Sequence, residues 1–425
     1  MTKETEFAAF VGIDWEHQTH AVYVLPVEGS PQHGELPQTA QAIAEWAAQL
    51  QQRFGGRPVA VCLEQARGPL VYALMQYEFL VLYPLNPKQL SDYRGALYPS
   101  GAKNDPKDAE LLARFLREHA DKLRAWYPED SLTRGLRLLT EQRRKWVQDR
   151  VALTNELLQR LKESYPLALE LAGNNLCQEG FLALLEKFPS QRELQRASPK
   201  QLLRFLPKRR RVIDDPPANE ALRQQMVELR KAPPMTVDTA ILEHSHLAIR
   251  HLVAMLQTLN QAVIATDAKI EELFAKHPEA ELFSSFPGAG KVLAPRLAAA
   301  FGTDRNKFSD AQEIQQLSGT APVTKASGKS KVVQMRWACP KFLRQTFHEF
   351  AGCSVPFSQW AKAYVQMRKA RGDRYQTILR ALAFKWQRIL FRCWKARELY
   401  DEDRYLQQLR VSGSKIIQFL PTDHA

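Results

Sequence analysis

Between Ile249 and Leu273 apolar or small side chains recur at alternating spacings of three and four: Ile249, Leu252, Leu256, Leu259, Val263, Thr266, Ile270 and Leu273. An almost unbroken a/d series of this kind specifies a long, coiled-coil-like helix whose apolar stripe must be covered by another helix. A second stripe runs through Leu132, Leu136, Leu139, Trp146, Leu153 and Leu157, interrupted at core-type positions by Arg143 and Arg150. The two helices pack on each other within one chain or pair between subunits. Arg143 and Arg150 either snorkel to the surface or contact a polyanion.

The N-terminal third has a different pattern. Phe7–Ile13 is a compact apolar run closed by Asp14, and after a polar turn Ala21–Leu25 resumes as its hairpin partner. A helical stretch over Ala40–Arg53 precedes a second buried strand, Pro58–Leu63, which again ends in an acid, Glu64. Gly68–Tyr77 reads as a helix and Phe79–Tyr83 as a further strand. The order strand, strand, helix, strand, helix, strand predicts an α/β domain. Asp105 then stands where a helix N-cap belongs, with Pro106 at the first helical position and Asp108 three residues after the cap. Each acid alone is explained by capping or by a solvent-facing strand end. As an ordered set, Asp14, Glu64, Asp105 and Asp108 are able to converge on one or two Mg²⁺ ions, which carboxylate oxygens bind and which activate phosphodiester chemistry.

Charge divides the chain further. Residues 1–100 hold six basic and ten acidic residues, whereas residues 281–425 hold 24 basic and 11 acidic ones. The whole chain carries +13, so the basic excess is concentrated in the last third and points to a polyanion, most simply nucleic acid. The five cysteines are scattered without a C-x-x-C pair, and no apolar run approaches the ~20 residues that span a bilayer. These features predict a cytoplasmic protein with reduced thiols and exclude membrane, secreted and zinc-finger classes. Lys208, Arg209, Arg210 and Arg211 sit beside a Pro-rich break, either as a solvated run or as phosphate contacts.

In the C-terminal region Phe286-Pro-Gly288-Ala-Gly290 is a glycine turn opening a helix, of the kind whose amides face a phosphate backbone. From Ile314 to His348 there is no acidic residue, while Lys325, Lys329, Lys331, Arg336, Lys341 and Arg344 supply six positive charges. Ser327-Gly328 lies inside this segment. Without further information it is an ordinary turn, since a serine is a poor nucleophile unless its proton is removed or the developing charge is stabilised. Downstream, Tyr375, Ile378, Leu382, Trp386, Ile389 and Cys393 form an apolar stripe, with Lys385, Arg388, Arg392 and Lys395 on an adjacent face. Tyr364 and Tyr375 lack an Arg/His framework and are set aside as nucleophiles, Tyr375 because it also falls on the core stripe.

Val11-Gly-Ile-Asp14, Leu63-Glu64 and Lys103-Asn-Asp105-Pro-Lys-Asp108 resemble the RuvC-like domain of the Piv-type transposases of bacterial insertion sequences, also known as bridge-RNA-guided recombinases. Gly319-Thr-Ala-Pro322 followed by Ser327-Gly328 resembles that family's second domain, although Arg336-Trp-Ala-Cys-Pro340 stands where many members have a Gly-Gly-Arg-like element. The resemblance implies a multidomain α/β plus α protein: an RNase H-like (RuvC-like) domain over 1–130, a helical and coiled-coil region over 131–280 with an inserted basic segment, and a mainly helical transposase domain over 281–425. It also implies Mg²⁺ on Asp14, Glu64, Asp105 and Asp108, with Ser327 attacking DNA to give a phosphoserine link. Target and donor DNA, a non-coding bridge RNA and further copies of the chain, as dimers assembling to a tetramer, are the implied partners. Nucleic-acid contacts are expected from Lys103, Arg143, Arg150, Lys208, Arg209, Arg210, Arg211, Gly288, Gly290, Lys325, Lys329, Lys331 and Arg336. The alternatives are a metal-dependent nuclease of the Holliday-junction resolvase type, and a non-catalytic RNA- or DNA-binding scaffold.

Overall fold

The computed structural model describes residues 6–97, 105–172, 175–198, 201–202, 205, 227, 231–328 and 330–420. The chain forms two compact units, Met1–Pro128 and Glu129–Ala425.

The first unit is built on a five-stranded sheet. Its strands are β1 (Ala9–Asp14), β2 (Thr19–Pro26), β3 (Gln32–Pro37), β4 (Val59–Leu63) and β5 (Leu80–Pro84), in the order β3-β2-β1-β4-β5. The β1–β2 and β2–β3 pairs are antiparallel, while β1–β4 and β4–β5 are parallel. This mixed α/β arrangement is consistent with the RNase H-like architecture implied by the motifs. β4 is buried at every position and β1 nearly so, because helices cover both faces. Side chains alternate across a strand, so Val11 and Ile13 point to one face while Phe10, Gly12 and Asp14 point to the other. The first face packs against α1 (Ala40–Arg53) and α2 (Pro69–Leu74) through Ile43, Leu50, Leu70 and Leu74. Thr39 caps α1, its side-chain oxygen accepting from the Ala42 amide at 3.2 Å. The second face receives α4 (Asp105–His119), whose Leu111, Leu112 and Leu116 join Ala60 and Cys62 in a smaller core. α3 (Pro87–Leu97) precedes α4.

β3 has no counterpart in the sequence-predicted elements. Its residues are exposed except Leu36, so there is no apolar alternation to read, and it is an edge strand held by its ladder with β2.

The second unit is mainly helical. α5 (Ser131–Ser164) and the helix Thr239–Ala275 lie against each other, burying Leu136, Leu157 and Leu161 from one and Ile249, Leu252, Leu256, Val263 and Ile270 from the other. The heptad stripe is therefore covered within one chain. Leu157 and Leu161 also join Ile249, Leu252 and Leu256 in a core shared with the short helices Leu167–Ala172 and Glu179–Lys187. At the other end Leu136, Ile270 and Ala299 tie this pair to the helix Gly290–Phe301, so residues from both the 131–280 and 281–425 segments lie in one unit. The largest core of the unit is aromatic, with Trp360, Trp386, Trp394, Phe283, Phe301, Phe347 and Phe350 all fully buried. Contrary to the sequence pattern, Tyr375 is not on the core stripe. It is 47% exposed at the start of its helix, where the Lys369 ammonium lies over its ring. Lys385, from the basic face beside that stripe, lies over the Tyr364 ring, and burial pushes its pKa down. No described helix is long and apolar enough to cross a membrane.

Two close approaches generate expectations. A Cβ on Gly12 would come within 1.9 Å of the Ala109 carbonyl oxygen and 2.7 Å of the Ala113 amide nitrogen, so α4 rests on the bare backbone of β1. Gly12→Ala is expected to lower stability by about 1–3 kcal/mol, whereas Gly34→Ala, with open space around it, leaves thermal unfolding unchanged. In the second unit the buried His277 ring accepts the Glu279 amide at Nδ1 (3.1 Å), and its Nε2 faces Thr133 Oγ1 at 2.9 Å, which donates on to Asp130. Protonation would put a second hydrogen against the Glu279 N–H, and burial lowers the His277 pKa. Because the unfolded imidazole titrates near ~6.5, stability is full above that pH. It falls by at most ~1.4 kcal/mol per unit as pH drops toward the folded value. Urea titrations of wild type and His277→Asn between pH 5 and 8 measure this difference.

Candidate active site

The sheet brings three of the four sequence-predicted acids together. Asp14 ends β1 on the face that α4 covers, and α4 begins with Asp105 and carries Asp108 one turn later. Carboxylate oxygens of Asp14, Asp105 and Asp108 all lie within 4.8 Å of one another. Asp14 and Asp108 are 9% and 2% exposed, and Asp105 is exposed. The direct seating of α4 on Gly12 produces this convergence, since Ala109, the residue after Asp108, is the one that meets the glycine.

Glu64 is placed differently. It follows β4 beside β1 with Ile13 and Leu63 in register, and strand parity puts it on the same sheet face as Asp14. It is half-buried and lies outside the three-carboxylate group. Its charge, together with burial as the larger cause, pushes the Cys62 thiol far up, so that cysteine is an inert core residue.

One side chain in contact with this group was not singled out from sequence. Arg94 of α3 forms a two-pronged contact with Asp108, Nε to Oδ1 at 2.8 Å and Nη2 to Oδ2 at 2.6 Å. The pair is largely buried and fixes the plane of the Asp108 carboxylate. The only sequence signal for it is a basic residue in the last turn of α3, a common helix feature. A set of clustered carboxylates with only oxygen donors, two of them nearly buried, fits a hard divalent cation.

Ser327 lies in the second unit, at the end of β6 (Val323–Ser327), which pairs antiparallel with β7 (Ser330–Gln334). Ser327 is exposed and directly opposite Ser330 in the register, with Gly328 at φ +54° in the turn between them. Lys325 and Lys331 lie exposed on the same hairpin and Arg336 follows it. The other nearby serine is removed by burial: Ser318 is fully buried, its hydroxyl accepting from Gln387 Nε2 at 2.7 Å. Ser330 is as exposed as Ser327 and is not distinguished from it by burial.

The remaining nucleic-acid candidates are placed as follows. Arg143 is ion-paired with Asp267, and Arg150 donates to Asn260 Oδ1 at 3.1 Å, so both guanidinium groups tie α5 to the Thr239–Ala275 helix. Gly288 rests on the backbone of Cys353, which a Cβ would approach within 2.2 Å, a packing reason for glycine there. Gly290 opens its helix into free space. Lys103, Lys208, Arg209, Arg210, Arg211 and Lys329 lie outside the described residues.

Both ends of the chain are similar to known proteins. Residues 11–166 match a DEDD family described as Transposase, and residues 280–366 match the Transposase IS116/IS110/IS902 family. The chain is 28% identical over 417 residues to a mini-circle protein of IS117 from Streptomyces coelicolor, covering 94% of this chain and 97% of that one. It is 32% identical to the IS116 44.8 kDa protein of Streptomyces clavuligerus, over 55% of this chain and 56% of its relative. An IS110 43.6 kDa protein of Streptomyces coelicolor is 26% identical over 72% of this chain and 74% of its own length. The Piv-type label suggested by the motifs is thereby corrected, and the chain belongs to the IS110/IS116/IS902 family of transposases, enzymes that cut and rejoin DNA.

Proposed function

We propose that this protein is an insertion-sequence transposase in which Asp14, Glu64, Asp105 and Asp108 hold Mg²⁺ and Ser327 is the nucleophile. The convergence of Asp14, Asp105 and Asp108 carries the metal part of this reading. When bound, the metal would supply positive charge to a phosphate brought against these carboxylates. Arg94 holds Asp108 in one orientation, and the buried surroundings of Asp14 and Asp108 keep the carboxylates from turning to solvent. The bond from Ser327 Oγ to phosphorus forms as its proton passes to water and the bond to the leaving sugar oxygen breaks, that oxygen taking a proton from water, which gives a phosphoserine ester and a free sugar hydroxyl. Attack by another sugar hydroxyl on that ester returns the serine and joins the new strand. Ser327 is supported by its exposure and by the acid-free run around it.

Target and donor DNA are the substrates, and a non-coding bridge RNA is the guide that the motif resemblance implies. The +13 net charge supports a polyanion partner, and Lys325, Lys331 and Arg336 are the described residues through which the hairpin would meet it. Dimers assembling to a tetramer are what the motif resemblance implies for its assembly. The competing reading, a resolvase-like nuclease using the same acids without the serine, is favoured by the convergence of Asp14, Asp105 and Asp108 within the first unit alone.

Two experiments decide between these. Denaturing gels of wild type, Ser327→Ala and Ser330→Ala with Mg²⁺, co-purified RNA and junction DNA are expected to show a covalent adduct lost only in Ser327→Ala. Cleavage without an adduct, unchanged in Ser327→Ala, would leave the nuclease. For the metal, Arg94→Ala strands the buried Asp108 charge and is expected to cost about 3–5 kcal/mol in chelating buffer. Saturating Mg²⁺ recovers part of that loss, because the ion replaces the missing positive charge. Unfolding of Arg94→Ala that ignores Mg²⁺ would count against a cation at this cluster.

A further inference from the structure

Of the eight tryptophans, only Trp15 and Trp337 are exposed, and Trp337 is twice as open at 75%. It stands three residues beyond β7, in the same acid-free run as Ser327, with no carboxylate nearer in sequence than Glu313 and Glu349. The hairpin leading to it buries neither face: every residue from Thr324 to Ser327 and from Ser330 to Gln334 is exposed, Val332 and Val333 included. A single exposed apolar residue needs no explanation, but a contiguous apolar and cationic ribbon does.

The turn that carries Trp337 is nevertheless held in place. Gly319, at φ +72°, packs beneath it so closely that a Cβ would lie 2.4 Å from Cys339 Sγ and 3.1 Å from the Arg336 carbonyl oxygen. Ser318 and Thr320 on either side of that glycine are buried and hydrogen-bonded to Gln387. The indole is thus presented on a turn braced against the aromatic core, while Lys325 and Lys331 leave the adjoining hairpin positive.

We propose that Trp337 is a stacking platform for an unpaired DNA base, fixing the strand that Ser327 attacks. An aromatic face beside cations is what single-stranded nucleic acid binds without regard to sequence, because every base offers a π-face. The inference deepens the reading in which Ser327 is the nucleophile, but base stacking is measurable without it.

The test is fluorescence anisotropy of the full chain with a labelled 20-nucleotide single-stranded DNA, the same sequence as RNA, and the DNA duplex. Trp337→Ala is expected to weaken single-stranded DNA binding roughly 5- to 100-fold, with Trp337→Phe retaining most of the affinity. The slope of log K against log salt stays as in wild type, whereas Lys325→Ala with Lys331→Ala makes it shallower by ~0.7 for each phosphate no longer neutralised. An abasic nucleotide scanned along the DNA weakens wild type at one position and adds nothing there to Trp337→Ala. Wild-type affinity of Trp337→Ala for the single strand overturns the proposal, as does a loss confined to the RNA probe. A change in sedimentation, with binding intact, would make Trp337 a contact between copies and overturn it too. Ser327→Ala is expected to bind the single strand normally. If no adduct ever forms while the Trp337 difference persists, the serine mechanism falls and the stacking site stands.

Discussion

The seating of α4 on the bare backbone at Gly12 is the contact on which the carboxylate site depends. A helix packed on side chains would stand farther from the sheet, and Asp108 would no longer share a pocket with Asp14. Bringing carboxylates this close is unfavourable in itself. At an effective dielectric of about 20, two unit charges 4.8 Å apart repel by about 3 kcal/mol. The packing of Leu111, Leu112 and Leu116 over Ala60 and Cys62 holds α4 down against that repulsion, and Arg94 offsets it at Asp108. Burial and charge are therefore opposed at this site, which is the usual condition of a place built to hold a cation.

How much of this was readable in advance differs from element to element for physical reasons. β1, β4 and β5 were legible because helices bury them, and such strands must be apolar almost throughout. β3 was not, because an edge strand with one buried residue satisfies its backbone through hydrogen bonds that any polar sequence makes. The convergence of Asp14, Asp105 and Asp108 was readable from their order, since each stands at a strand end or helix start where chain topology gathers side chains, whereas Glu64 lies outside that group. Arg94 was not, because its partner is fixed by how α3 and α4 cross, and nothing in the spacing of Arg94 and Asp108 encodes that crossing. Gly12 stands within the Val11-Gly-Ile-Asp14 motif, yet its role is a distance between two elements and has no sequence pattern.

The second unit repeats the lesson with charges. Arg143 and Arg150 occupy seam positions in α5, and the pattern left open whether they reached solvent or a polyanion. The structure uses both inside the protein, on Asp267 and Asn260 of the facing helix, so a polar residue on each helix answers the other. Such cross-seam pairs set the register of two helices whose apolar residues alone would tolerate sliding. Tyr375 shows the converse. Its spacing fits the core stripe, but it stands at the first position of its helix, where the stripe has already run past the core.

Ser318 and Ser327 show why exposure must be weighed with chemistry. Both precede a glycine with positive φ, but Ser318 is locked in a hydrogen-bonded layer beneath Gln387 while Ser327 stands free at a hairpin end. A two-stranded hairpin without a buried face is marginal in water and draws its order from the braced turn at its base. Whatever covers the ribbon from Val323 to Trp337 therefore stabilises it by mass action, in proportion to its own binding. For an exposed serine at the tip of such a ribbon, the binding of whatever covers the ribbon and the ordering of the serine become a single equilibrium. A ribbon that bound nothing would gain no such order, and would leave Val332, Val333 and Trp337 beside unpaired strand edges, an aggregation liability. The absence of acids along the whole run is what makes a polyanion, and not another protein's apolar surface, the cover that fits.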